Sequence, residues 1–405
     1  MLRVPTSTLG LSFGIQGREA VTPEALLRRL GVSPTPQLFT RSEQIWQSLL
    51  TAPAPLGPLP AELRNIGDLQ EHWIERLAFG PTPLHDRLAQ TFAGLFAVHR
   101  SKVPDLGQLW QHLETIRQHL RGGYGQLLVA MLADPATLRN LDGLSSHRNS
   151  PNENLARELM ELYSVGAGSF QESDVISGAR ALSGYRLRQG QIVLDEGAHD
   201  PGPMRVLGKL ASFDAASLAT WLVSQPAAAR MILARLWRVW QGDLPNAASL
   251  NQLAGQWRQR QLSLPWLVQR LLELPSQRRS LAQGAMVREP IDLMVAALRL
   301  LGSRQKEGLR LARLQLRAMG QVPFEPPSIK GWPADRQWLT DSWLRARQRA
   351  MRSLVNHPEL WESNQLPPML EANLVPRQPF SLRLPAEVTK ANLLALLTDP
   401  VWQLK

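Results

Sequence analysis

Apolar residues recur three and four positions apart along most of this chain, the spacing that gathers them on one side of an α-helix. Leu88, Phe92, Leu95 and Phe96 form one such stripe, and Leu155, Leu159, Leu162 and Tyr163 another. The pattern predicts one or two short helices within 18–50, then helices at about 61–79, 84–98, 105–121, 124–141, 151–164 and 172–183. It resumes at about 214–223, 226–240, 246–259, 264–273, 290–301, 305–318, 339–355 and 387–398. Strand-like segments stand only at Tyr185-Arg-Leu and Gln191-Ile-Val-Leu194, which flank Gln189-Gly190 and read as a small hairpin. Residues 196–212 read as a Gly/Pro-rich loop, and 321–335 as an irregular packed loop. The expected fold is all-α: one large multi-helical domain with long Pro-rich loops and at most one small β-hairpin. Along the chain, 1–60 is a helical segment ending in the Pro-rich linker Ala52–Pro60, 61–355 the main helical domain, and 356–405 a Pro-rich tail with a terminal helix.

The segment 151–164 carries the richest polar edge. Ser150 fits an N-cap, Pro151 the first helical position, and Glu153 the other half of a capping box. Asn154, Glu158 and Glu161 then follow i, i+4, i+7 along one flank of the apolar face. Glu158, beside Leu155 and Leu162, is expected to be partly buried, and a desolvated carboxylate needs a cation, a metal or a proton. Arg157 can satisfy Glu153 or Glu161 one turn away. Two readings stand for this edge: a solvated face laced with ion pairs, or a ligand and proton-transfer site.

His199-Asp200 is the candidate second half of such a site. An imidazole and a carboxylate side by side can bind a divalent metal with Glu158, or act as base and orienter with Glu158 and Glu161. The alternative is an Asx-type turn with His199 packed on a helix end. Lys209 can offer a cation to an anion or end the loop. Lys330 can pair with a carboxylate such as Glu158, or simply accompany the packing of Trp332.

The 151–164 segment, its continuation Ser164-Val-Gly-Ala-Gly168 and Asp174-Val-Ile-Ser-Gly-Ala-Arg-Ala-Leu-Ser-Gly184 resemble an uncharacterised bacterial family catalogued as domain of unknown function 1800. His199-Asp-Pro-Gly-Pro-Met-Arg-Val-Leu-Gly-Lys209, Val287-Arg-Glu-Pro-Ile-Asp292, Ala297-Leu-Arg-Leu-Leu-Gly302 and the run from Met319 to Pro333 follow in the same order. The resemblance covers roughly 70–355, with Leu396–Leu404 similar to the usual ending. It implies a largely helical fold, frequent export, and a sulfatase- or phosphatase-like partner encoded nearby. Two departures accompany it. Relatives typically carry Trp-His-Asn-His-Phe where this chain has Phe92-Ala-Gly-Leu-Phe96, and lysine where it has Met204, with Arg205 adjacent as a substitute.

Composition narrows the chemistry. Apolar residues at 44% supply a substantial core, and the absence of cysteine excludes disulfides, thiolate ligands and a cysteine nucleophile. No apolar run reaches the length of a membrane span. The opening Met1–Gly10 lacks an apolar export core, which leans the expectation toward the cytoplasm despite the exported relatives. Net charge is +11 and arginine dominates, favouring bidentate contact with carboxylate, phosphate or sulfate. Arg310, Arg313, Arg317 and Arg345, Arg349, Arg352 form two helical stripes. No nucleic-acid motif accompanies them, so nucleic acid is not the expected partner. Three functions follow: a degenerate copy binding a partner or anionic ligand through residues such as Asn154, Arg157, Arg205, Lys209 and Lys330; a metal-assisted hydrolase or transferase; and a basic surface for nucleic acid or acidic glycan. The expected pocket lies between 151–164 and 199–209.

Overall fold

The computed structural model describes residues 23–32, 41–273, 286–302, 304–358, 366–367, 369–371 and 374–405. The expectations for 1–22, including the opening segment, and for parts of the Pro-rich tail lie outside the described residues.

Helices begin where the sequence supplies a cap or a proline. After the short helices α1 (Pro23–Arg29) and α2 (Ser42–Gln47), Asn65 and Asp68 make a reciprocal capping box that opens α3 (Ile66–Phe79). Pro83 opens α4 (Pro83–Leu95), whose stripe is fully buried, and Asp105 caps α5 (Leu106–His119). The predicted 124–141 helix is two, α6 (Tyr124–Leu132) and α7 (Pro135–Asn140). Pro135 cannot donate the bond that continuity requires, and Asp134 caps the new start by accepting from Thr137 N. Helix α8 (Glu153–Glu161) starts later than the capping-box reading: Asn152 is its cap, because Ser150 is engaged in a bridge with His147.

Helix α9 (Glu172–Ala181) precedes the predicted hairpin, β1 (Tyr185–Arg188) with β2 (Gln191–Leu194), in register Tyr185 opposite Leu194. The loop expected at 196–212 contains a second ladder, β3 (Met204–Val206) with β4 (Lys209–Ala211). Six more helices follow: α10 (Ala215–Ser224), α11 (Pro226–Gln241), α12 (Ala247–Gln259), α13 (Leu264–Glu273), α14 (Pro290–Leu301) and α15 (Lys306–Ala318). Then come α16 (Asp341–Asn356), a third ladder pairing β5 (Met369–Leu370) with β6 (Ala386–Glu387), and α17 (Lys390–Thr398). The chain is mostly helical, with three two-stranded ladders among the described residues rather than one. Strands of two or three residues are too short to show an alternating pattern. One apolar core runs from Leu26 to Trp402, so the outer segments share it with the central one.

Inside that core lies an ionic cluster. Asp292 receives Arg87 on one carboxylate oxygen and Lys405 Nζ on the other at 2.7 Å, all three side chains being buried. Glu289 takes Arg87 at 3.3 Å and Gln321 Nε2 at 2.9 Å. Burial opposes charge on Asp292, yet Arg87 and Lys405 hold its carboxyl well below the usual carboxylate range. Val287 and Leu404 bridge beside it, and the Arg288 guanidinium lies 4.6 Å over the Trp402 ring.

Candidate functional site

The two carboxylates on the edge of α8 are half-buried and lie near Lys330. Glu161 lies 3.9 Å from Lys330 Nζ, and Glu158 sits in the field of both. Burial first and Glu161 second push the Glu158 carboxyl up, against Lys330 and Arg157. Behind this edge Tyr163 stacks on Phe96 at 5.1 Å, and Phe96 on Tyr124 at 6.1 Å. The Tyr124 hydroxyl donates to the Tyr163 carbonyl at 2.9 Å. Arg235 of α11 donates to the Leu162 carbonyl, closing the end of α8, and reaches the Lys330 carbonyl at 3.5 Å. Burial lowers the Arg235 pKa, with Tyr124 and Tyr163 opposing.

The Lys330-Gly331-Trp332 turn sits directly on the end of α4. A Cβ at Gly331, whose φ is +86°, would stand 2.1 Å from the Gly94 carbonyl oxygen, so no side chain fits there. A Cβ at Gly94 would meet the Trp332 ring at 3.5 Å. The degraded run Phe92–Phe96, the carboxylate helix and the Lys330 turn therefore converge, although they are far apart in sequence.

At this convergence lies a cavity of about 180 Å³. Arg235, Arg238, Lys330 and Trp332 line one side; Thr91, Gly94 and Leu95 the other; Glu289 and Gln321 are also exposed to it. Glu289 is already matched by Arg87 and Gln321, and Lys330 only grazes Glu161. Arg238 has no ion pair among the described residues, and Trp332 Nε1 is buried without a hydrogen-bond partner. The cavity is thus cationic along one wall, which suits an anion's oxygens.

The remaining expected residues lie elsewhere. Asp200 accepts from Arg180 Nε at 2.6 Å and from Gly202 N at 2.9 Å; Arg180 holds its carboxyl below the usual range. His199 is buried, with Nδ1 3.0 Å from the Ser183 carbonyl, against Gly184, whose φ is +86° and where a Cβ would meet the His199 backbone at 2.6 Å. This is the turn reading of His199-Asp200. No group of three or more His, Asp or Glu side chains is placed to hold a metal among the described residues, so the expected set Glu158, His199 and Asp200 does not assemble. The physical reason is local: Arg180 and the Ser183 carbonyl occupy one pair, while Glu158 faces Lys330. Accordingly Glu158 and Glu161 share a site with each other but not with His199 and Asp200.

Asn154 lies at the opposite end of α8, its amide 3.5 Å from the Leu141 carbonyl. Arg157 pairs with Glu172 of α9, at 2.9 Å from one carboxylate oxygen, and more loosely with Glu153 at 3.6 Å. Lys209 lies 4.8 Å over the Trp221 ring. Arg205 does not replace a lysine at Met204: strand alternation buries Met204 and turns Arg205 outward, where it bonds the Gly208 carbonyl at 2.9 Å. Of the binding residues expected, Lys330 alone lines the cationic cavity. Arg235 and Arg238 do not stand out in the sequence, since two arginines three apart on a helix look ordinary in an Arg-rich chain. Their only sequence signal is their place among the tryptophans of α11, Trp237 and Trp240.

No curated protein and no solved structure matches the chain significantly. The family described as "Protein of unknown function (DUF1800)" matches residues 15–401, nearly the whole length, and the chain belongs to that family.

Proposed function

We propose that this chain is a binding member of its family, holding a small oxyanion (a carboxylate, sulfate or phosphate group) in the cavity beneath Lys330. The observation that carries the reading is the meeting of Arg235, Arg238 and Lys330 around one cavity, at the place where Ala93, Gly94 and Leu95 stand instead of the family's histidines and asparagine. A sulfatase- or phosphatase-like partner belongs to the proposal as the source or recipient of a sulfate- or phosphate-bearing ligand. Calorimetric titration with sulfate, phosphate and citrate tests it. Arg238→Ala with Lys330→Ala is expected to weaken the best of these by roughly 10–100-fold, the effect of losing charge-assisted hydrogen bonds worth about 1.5–3 kcal/mol. Equal affinity in parent and double variant counts against the cavity.

One observation favours a second reading, transfer or hydrolysis chemistry on the bound anion. Glu158 is a partly buried carboxyl raised above its ordinary range, beside a lysine at the cavity's rim, the condition for proton donation. Turnover of aryl sulfate or phosphate esters by the parent, abolished in Glu158→Gln, would support it; equal rates in both would reject it.

A further inference from the structure

The two arginine stripes have different fates. On α15, Arg313 pairs with Glu71 at 2.8 Å, Arg317 with Glu325 at 2.7 Å and Arg310 loosely with Glu307 at 3.8 Å. On α16, Arg345, Arg349 and Arg352 are exposed and make no ion pair among the described residues. The only carboxylate on α16 itself is Asp341, in its first turn. A helix carrying three unopposed guanidinium groups on one side is a site of positive potential.

Beside this face the fold presents an aromatic ring. Gln348, on the flank of α16 toward α17, donates to the Thr398 carbonyl at 2.8 Å. At the same end of α17, Asp399 accepts the N–H groups of Phe380 and Ser381, each at 2.8 Å, and the Ser381 hydroxyl at 2.6 Å. These bonds hold the loop in place, and they leave Phe380 81% exposed. Arg377 and Arg383, three residues to either side, are exposed and free of ion pairs among the described residues. Leu344, one turn before Gln348 on the same flank, is 37% exposed.

We infer that Phe380, Leu344 and the arginine face of α16 form a docking surface for an anionic lipid bilayer. Arginines on the surface attract lipid phosphates, and apolar side chains beside them gain by entering the interface, the two signals that peripheral attachment needs. A soluble polyanion makes use of the arginines alone, and an aliphatic Leu344 stacks on nothing in a nucleic acid. The attachment is peripheral, since no described helix is long and apolar enough to cross a membrane.

Co-sedimentation of the full chain with vesicles of phosphatidylcholine and phosphatidylglycerol, compared with phosphatidylcholine alone, tests the inference. Expected is binding to the anionic vesicles only, falling as salt rises. Replacing Arg345, Arg349 and Arg352 together by Gln is expected to weaken it on the order of a hundredfold, at roughly fivefold per arginine. Phe380→Ser is expected to weaken it by roughly tenfold, the worth of one aromatic leaving the interface. All four side chains are exposed, so circular dichroism should match the parent. Absence of binding to anionic vesicles at low salt overturns the inference. So does vesicle binding that ignores Phe380→Ser and is displaced entirely by heparin or an oligonucleotide, which would mark a surface for soluble polyanions. The cavity variants Arg238→Ala and Lys330→Ala are expected to sediment like the parent, which separates this surface from the oxyanion site.

Discussion

Two charged regions of this protein meet at Glu289 and follow opposite rules. In the buried cluster every principal charge is answered: Asp292 by Arg87 and Lys405, Glu289 by Arg87 and Gln321. In the adjoining cavity Arg235, Arg238 and Lys330 meet no comparable carboxylate among the described residues, and the Trp332 N–H has no hydrogen-bond partner among them. The two carboxylates of this cluster are each met by a buried cation, because an unpaired carboxylate in the interior is costly. Charges left open at a cavity wall are affordable only where solvent or a ligand completes them. The contrast is what separates a structural ion cluster from a binding site in this molecule.

The comparison breaks most visibly at Asp292. Asp292→Asn leaves the buried Lys405 ammonium without its counter-charge and Arg87 with Glu289 alone, and a loss of about 3–5 kcal/mol in urea unfolding is expected. The depressed Asp292 pKa also fixes the pH behaviour. A carboxyl lowered in the folded state stabilises above its unfolded pKa, and that stability is lost as pH falls through the folded value. The parent should therefore lose stability in acid more steeply than the variant. A variant as stable as the parent at neutral pH would mean the cluster is not structural.

On the other side of the comparison, Arg238→Ala with Lys330→Ala should change unfolding by less than about 0.5 kcal/mol while anion affinity falls roughly tenfold or more. A large stability loss would move these cations into the structural class.

Glu158 sharpens the boundary between the two. Its folded pKa is raised, so its contribution is fully present below the unfolded pKa and is lost as pH rises through the folded one. Glu158→Gln should match the parent in acid and equal or exceed its stability at neutral pH. Anion affinity of the parent should tighten severalfold as pH falls through the Glu158 transition, and that of Glu158→Gln should not, by titration across pH.

The smallest effect is expected at Asp200, whose pair with Arg180 is partly exposed. After solvent screening, Asp200→Asn should cost about 0.5–1 kcal/mol and leave anion binding unchanged. A metal-dependent loss of binding in this variant would revive the metal reading of His199-Asp200.

Much of this was legible in the residues themselves. The stripe at Leu88–Phe96, the apolar face of α8, the partial burial of Glu158 and the Tyr185–Leu194 hairpin all follow from periodicity and turn chemistry. The second ladder at Met204–Ala211 did not, since three-residue strands hold no pattern. Partner choice was the harder loss. Nothing local to His199-Asp200 says that Arg180, on the preceding helix, will claim the carboxylate; for Lys330 a carboxylate such as Glu158 is the expected partner, and the ion pair at 3.9 Å is with Glu161. Such pairings are set by tertiary packing, as is the close approach of Gly331 to Gly94, two residues without side chains, beside the cavity.

The tie between Asp292 and Lys405 spans 113 positions. During synthesis the acid emerges long before its ammonium exists, and the strand-like pairing of Val287 with Leu404 must wait equally long. Nascent chains should therefore hold this stretch unsettled until translation passes Lys405, making closure of the cluster a late step and a natural moment for chaperone attention.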